Sequence, residues 1–191
     1  AVNAGVTAPT ASMHLQRLVH GGLVSVVPQG RHCYYRIASR DVAAALETLL
    51  LLAPATTPRH PTQRRIVADL AEARLCYDHL AGRLGVALTD ALVSMGALTF
   101  SESAASLTES GYALLRRLRI DMPPEARRRP ACRPCIDWSE RRPHVAGTVG
   151  AAIAAAALER GWLSRKKETR AVVVTAAGAK ALREHFSLEW A

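Results

Sequence analysis

Thr7-Ala8-Pro9-Thr10-Ala11-Ser12-Met13-His14-Leu15-Gln16-Arg17-Leu18-Val19-His20-Gly21-Gly22-Leu23 is the stretch whose reading decides the fold. Between Pro9 and His20 the apolar residues Ala11, Leu15, Leu18 and Val19 recur at helical spacing, Thr7 is placed to cap, and Pro9 suits the first turn. Gly21-Gly22 ends the helix, because the left-handed conformation needed there costs glycine no Cβ clash. Working outward, Leu23 to Pro28, a turn at Gln29-Gly30 and Arg31 to Ile37 read as a β-hairpin with a basic tip. Ser39 then caps an amphipathic helix, Asp41 to Leu52, with Val42, Leu46, Leu49 and Leu50 on one side. In the second strand Cys33, Tyr35 and Ile37 share one face and His32, Tyr34 and Arg36 the other. The apolar face is expected to be buried, which makes Cys33 a core thiol.

The rest of the 191 residues agrees with a largely helical chain. Apolar residues make up 49% but aromatics only 5%, so the core must be built from Ala, Leu and Val, types that favour helices. The expected class is mainly α with short β-hairpins (α+β). Lys and Arg number 25 against 16 Asp and Glu, a formal +9, which attracts nucleic acid or an anionic membrane surface. No apolar run reaches membrane-spanning length and the first stretch lacks the order of a signal peptide, so a cytoplasmic protein without membrane contact is expected.

A helix that enters the major groove needs a buried stripe to anchor it and short polar residues on its outer face. Thr10, Ser12 and Gln16 are suited to hydrogen-bond base edges, Met13 to touch a thymine methyl, and His14 and Arg17 to reach phosphates. The hairpin adds Gln29, Arg31, His32 and Arg36 at and behind its tip. Double-stranded DNA is the expected partner. The alternative use of such an element is protein contact alone.

Ser-x-His-Leu-x-x-Leu over Ser12 to Leu18, then Gly22-Leu23, Gly30-Arg31 and Tyr34-Tyr35-Arg36, resembles the recognition helix and wing of ArsR-type winged helix-turn-helix repressors. The resemblance covers about the first quarter of the chain. It implies a homodimer that leaves an inverted-repeat operator on sensing a metal, a metalloid or a redox change, with Asp41 to Leu52 as the dimer helix. The family's first helices have no counterpart after Ala1, so the chain reads as N-terminally truncated. Its familiar sensory sites also find no match: no Cys pair precedes the recognition helix, and Asp41 to Leu52 contains no His.

Residues 1–53 are thus expected to form a partial winged helix-turn-helix domain with its dimer helix, 54–62 a Pro/Thr-rich linker, and 63–191 a regulatory region. Within that region the pattern helix, Gly-x-Leu, hairpin, Ser/Thr cap, helix recurs at Gly96-Ala97-Leu98 with Thr108 and at Gly161-Trp162-Leu163 with Thr175. It first occurs at Gly21-Gly22-Leu23 with Ser39. The match between the last two copies extends upstream: His79-Leu80-Ala81-Gly82-Arg83-Leu84-Gly85 parallels His144-Val145-Ala146-Gly147-Thr148-Val149-Gly150. Residues 63–121 and 135–191 therefore read as two winged-helix-like repeats flanking an Arg/Pro joint at 122–134.

Cys132-Arg-Pro-Cys135 with Asp137 and His144, beside Cys76, Asp78 and His79 in the matching repeat, is the cluster that resembles a chemical site. Two thiolates spaced by two residues can grip one soft ion, and a further Cys or His would complete its shell. Cys132, Cys135, Cys76 and His144 are the candidate ligands for a soft metal or metalloid, or partners in a redox disulfide. Arg127, Arg128, Arg129 and Arg133 nearby are expected to lower the thiol pKa values. The structural alternative puts Cys76 in a helical stripe with Ile66, Leu70, Ala73, Tyr77 and Leu80, makes His79 and His144 caps, and makes Trp138 and Trp162 core anchors. No nucleophile elbow, phosphate-binding Gly loop or zinc-protease helix occurs, so no enzyme is expected. Two functions remain: an effector-responsive DNA-binding repressor, or a thiol-based sensor whose winged helix serves assembly.

Overall fold

The computed structural model describes residues 1, 4–30, 32–52, 61–101, 103–122, 129–167 and 169–190. Among them helices alternate with two-stranded antiparallel hairpins, an α+β architecture, and the chain divides into two compact units, Ala1–Arg64 and Arg65–Ala191.

The first unit runs α1 (Ala8–His20), β1 (Val24–Gln29), β2 (His32–Ile37), α2 (Arg40–Leu52) and the start of α3 (Pro61–Glu72). The Thr7 hydroxyl accepts a hydrogen bond from the Thr10 amide at 3.4 Å, and Gly22 leaves the helix at φ 69°. In the hairpin Gln29 faces His32 across the turn and Val24 faces Ile37 at the far end. Ser39 accepts from the Val42 amide at the head of α2.

One expectation for this unit fails. Cys33, Tyr35 and Ile37 are exposed, as is the whole of β2. On α2, Ala43 and Glu47 are buried, while Leu46, Leu49 and Leu50 face outward on the side that the spacing gave them. A two-stranded hairpin has too little apolar area to bury either of its faces unaided, and among the described residues α1 meets β1 and α2 meets β2 without covering β2. Residues 53–60, most of the expected linker, lie outside the described residues, and Pro61 already opens α3.

The second unit repeats one order of elements. Its first half is β3 (Arg74–Cys76), β4 (His79–Ala81), α4 (Gly82–Ser94), β5 (Leu98–Phe100), β6 (Ala105–Leu107) and α5 (Glu109–Arg117). Its second half is β7 (Arg133–Ile136), β8 (Pro143–Ala146), α6 (Gly147–Glu159), β9 (Leu163–Arg165), β10 (Val172–Val174) and α7 (Ala176–Phe186). The matching Thr caps are both formed. Thr108 Oγ1 accepts from Gly111 N and donates to Gly96 O, and Thr175 Oγ1 accepts from Gly178 N and donates to Gly161 O. Each such cap contributes about 1 kcal/mol.

The halves exchange contacts: β4 packs against α6 of the other half, β8 against α4, and β4 lies beside β8. One apolar core results, with Leu84, Leu88 and Leu92 of α4, Val149 and Ile153 of α6, Leu114 and Leu115 of α5, and Leu182 and Phe186 of α7. Almost every residue of α6 between Gly147 and Ala157 is buried, as an Ala-rich helix apolar on all sides requires.

The helix expected to carry Cys76 stops at Glu72, and Cys76 lies on β3 instead. Tyr77 at φ 60° and Asp78 form a tight turn that reverses the chain, and Gly82 at φ 76° starts α4. The i, i+3 and i, i+4 spacing of Leu70, Ala73, Tyr77 and Leu80 imitates a helix across what is a helix end and a hairpin. The tightness at this point is physical: a Cβ at Gly82 would sit 2.6 Å from the Ala71 carbonyl oxygen.

Candidate functional site

The first candidate surface is the outer face of α1. Ser12, Met13, His14, Gln16 and Arg17 are exposed, whereas Ala11, Leu15 and Val19 are half-buried on the opposite side. Thr10 is half-buried, and its hydroxyl lies 2.8 Å from that of Thr7, so it belongs to the cap rather than to the open face. Gln29, His32 and Arg36 are exposed on the hairpin. Arg31 lies outside the described residues.

The second is a cluster in the core of the second unit. Ligand atoms of Cys76, His79, Cys135 and His144 all lie within 4.8 Å of one another. Its origin is the repeated hairpin. Cys76 on β3 is the direct cross-strand partner of His79 on β4, and Cys135 on β7 is the partner of His144 on β8. Cross-strand partners project to the same side of a hairpin, so each hairpin offers one thiol and one imidazole. The contact between β4 and β8 then makes four. Cys76 Sγ and Cys135 Sγ are 4.0 Å apart, and the two imidazole centroids 5.1 Å.

Helix α6 comes close enough to support this cluster because it carries glycine where it meets the hairpin. A Cβ at Gly150 would stand 2.5 Å from the Val145 carbonyl oxygen and 3.1 Å from His79 Cβ. Gly85 of α4 is its counterpart, where a Cβ would stand 2.5 Å from the Leu80 carbonyl oxygen and 3.8 Å from His144 Cβ.

Cys132 is not in the cluster. It is buried in the apolar core, and burial pushes its thiol up to about 11. Residues three apart on extended chain point to opposite sides. Cys132 and Cys135 therefore cannot converge as they would in a helical or looped C-x-x-C. His79 takes the fourth place. The repeat alignment carried that signal, since it sets Cys76 and His79 beside Cys135 and His144, and it sets Ala73 beside Cys132.

Two carboxylates stand behind the histidines. Asp78 Oδ1 is 3.3 Å from His79 Nδ1, and Arg129 grips both oxygens of Asp78 at 2.6 and 3.1 Å. Asp137 Oδ2 lies 3.6 Å from His144 Nδ1, somewhat beyond hydrogen-bond length. That oxygen accepts from Gly82 N and from Arg74 Nη2, while Oδ1 accepts from Ser139 N, Ser139 Oγ and Glu140 N. Asp137 thereby caps α4, whose own cap residue is Ala81 and has no side chain to do so. Arg74 is fully buried, donates also to Leu70 O and Ser139 Oγ, and lies over the Trp138 ring.

The electrostatics follow from burial and these partners. The shared hydrogen bond with Cys135 and burial push the Cys76 thiol up to about 12, and the imidazoles of His144 and His79 pull it back only partly. The lowering expected from the Arg-rich joint is thus reversed: Arg129 is spent on Asp78, and Arg127 and Arg128 lie outside the described residues. Burial alone would raise both aspartates. The His79 and Arg129 contacts hold Asp78 well below the carboxylate range, and Arg74 with its neighbouring donors brings Asp137 to about 2. Burial pushes His144 down and keeps it neutral, whereas Asp78 and Cys76 overcome burial and raise His79. His79 Nε2 and both ring nitrogens of His144 are buried without a hydrogen-bond partner. Two thiols and two imidazoles converging in this way can coordinate a soft or borderline ion; the thiols could alternatively join in a disulfide.

Among the described residues no helix is long and apolar enough to cross a membrane. No family model matches the chain, and no solved structure matches it. A protein of Bacillus subtilis (strain 168), the uncharacterized HTH-type transcriptional regulator YdfF, is 37% identical over 187 residues, which are 97% of this chain and 83% of the relative. At that identity over nearly the whole chain, the protein belongs to the HTH-type transcriptional regulators.

Proposed function

We propose that the chain is an effector-responsive, DNA-binding transcription regulator, a repressor of ArsR type that binds an inverted-repeat operator as a homodimer. The observation that carries this reading is the exposed outer face of α1. Ser12, Met13 and Gln16 stand clear of the protein on successive turns, flanked by His14 and Arg17, with the hairpin residues Gln29, His32 and Arg36 also open to solvent. Such a face suits base edges in the major groove, with the cations on phosphates. The regulator from Bacillus subtilis supports the DNA-binding role. The outward leucines of α2, Leu46, Leu49, Leu50 and Leu52, support self-association. The second unit receives the signal, and its converging thiols and imidazoles are the groups with the chemistry to do so.

The test is competition binding of the intact protein to its own upstream DNA and to scrambled DNA across a salt series. Preference for the upstream sequence by about a thousandfold or more, with affinity falling steeply as salt rises, is expected. Equal affinity for both DNAs at every salt concentration would overturn the reading.

The 4.0 Å approach of Cys76 and Cys135 favours a second reading, a thiol-based metal, metalloid or redox sensor whose winged helix serves assembly. It predicts that ion or oxidant binding survives in a protein with no sequence preference on DNA.

A further inference from the structure

We propose that Cys76, His79, Cys135 and His144 form a closed, four-ligand site for one divalent zinc-class ion, held in place by Asp78 and Asp137 and joining the two halves of the second unit. The inference goes beyond the DNA-binding reading and holds whether or not α1 reads DNA, since every residue it uses lies in Arg65–Ala191.

Geometry supports it first. A tetrahedral ion with Zn–S and Zn–N bonds of about 2.0 to 2.3 Å sets its ligand atoms roughly 3.3 to 3.8 Å apart. The four ligand atoms already lie within 4.8 Å of one another, and the two sulfurs are at 4.0 Å. Cys76, His79 and His144 are buried and Cys135 half-buried, so the shell needs no water and leaves no open coordination position. A closed shell of this kind, with no position open to substrate, is not a catalytic one.

The imidazoles are oriented for the task. A metal-ligating histidine ordinarily donates its other ring N–H to a carboxylate, which fixes the tautomer. Here the Nδ1 of His79 lies 3.3 Å from Asp78 Oδ1, and the Nδ1 of His144 is 3.6 Å from Asp137 Oδ2, near that carboxylate but not hydrogen-bonded to it. The two Nε2 atoms are left as donors to the ion, and both are buried with no hydrogen-bond partner among the described residues. A coordinate bond would supply the interaction that burial otherwise denies them.

Charge selects the ion. The two carboxylates are each matched by a guanidinium, Asp78 by Arg129 and Asp137 by Arg74, so neither contributes net charge and neither has oxygens to spare as ligands. A donor set of two sulfurs and two nitrogens disfavours the oxygen-seeking Mg²⁺ and Ca²⁺. Two thiolates and two neutral imidazoles around a 2+ ion are electrically neutral; around Cu⁺ they would bury one uncompensated negative charge. On binding, one divalent ion enters and the two thiol protons leave to solvent, together with any second proton that the His79 ring carries. Because one Cys–His pair comes from each hairpin, the ion links the halves where β4 meets β8.

The full-length reduced protein, stripped with a chelator and kept anaerobic, is titrated with Co²⁺ as a spectroscopic probe and then with Zn²⁺. One equivalent of Co²⁺ should give strong tetrahedral d–d bands and a sulfur-to-cobalt charge-transfer band, both abolished by one equivalent of Zn²⁺. Cys132→Ser should titrate like the parent, Cys135→Ser should lose the charge-transfer intensity, and Asp78→Asn should weaken Zn²⁺ binding about 10- to 100-fold. Far-UV circular dichroism of each variant separates loss of the site from loss of the fold. Absence of both bands in the parent protein, or an equal loss in Cys132→Ser and Cys135→Ser, would overturn the assignment. An unchanged Zn²⁺ affinity in Asp78→Asn would remove Asp78 from it.

Discussion

Arg74 and Asp137 have no solvent exposure at all, and they are tolerated because each is held by several partners. The guanidinium spans a carboxylate, a hydroxyl, a helix-end carbonyl and an indole face, and the carboxylate caps α4 while standing behind His144. Removing one member strands the other. Arg74→Met should therefore cost roughly 3 to 5 kcal/mol in urea unfolding, the usual penalty for a buried ion left unpaired. A loss under 1 kcal/mol would mean that the pair is hydrated in solution. At this scale the sequence was only partly readable. Cys76, Cys135 and His144 stood out by type and spacing, but the choice between Cys132 and His79 depended on whether residues 132–135 are helical or extended. Residue types alone do not decide that, and only the extended form turns Cys132 into the core.

The elements themselves were more legible because their ends carry chemistry that can be seen in the chain. Thr7, Ser39, Thr108 and Thr175 all cap helices through their hydroxyls, and the Gly-x-Leu steps open the hairpins. Thr108→Ala and Thr175→Ala should each lower stability by about 1 kcal/mol, and the double variant by the sum, because the two caps lie in different halves. A double variant no worse than either single one would show that the caps are not independent. The boundary after Glu72 was hidden, since a left-handed Tyr77 has no sequence signature and the apolar spacing runs on regardless. The exposure of β2 is hidden in the sequence for a related reason: alternation shows which residues share a face, not what covers it. The second glycine of each His-x-Ala-Gly-x-x-Gly stretch is a contact between elements. Gly150→Ala places a methyl group against Val145 and His79, so it should cost about 1 to 3 kcal/mol and also weaken metal binding. Wild-type stability in that variant would contradict the close approach of α6.

On the scale of the molecule, the two units divide the work according to what each leaves exposed or buried. The first presents polar side chains and a hairpin, so substitutions there should act on DNA and spare the fold. Arg17→Ala should weaken binding to specific and scrambled DNA alike and reduce the salt slope by about 1, whereas Gln16→Ala should chiefly narrow the gap between them. Both variants changing the two affinities in the same ratio would argue against base contact by Gln16. The second unit buries its chemistry, and its repeated hairpins bring four ligands together from two sequence copies that each supply only two. Binding an ion in the folded state alone stabilises that state, so stripping the metal should lower the melting temperature of the intact protein.

The most direct measurement is the mass of the intact, reduced protein under non-denaturing conditions after exposure to one equivalent of Zn²⁺. The parent and Cys132→Ser should each give a single species, one zinc ion heavier and two protons lighter than the apo chain, with Cys135→Ser remaining metal-free. A parent protein that stays at its apo mass, or Cys132→Ser that loses the ion, would contradict the four-ligand site.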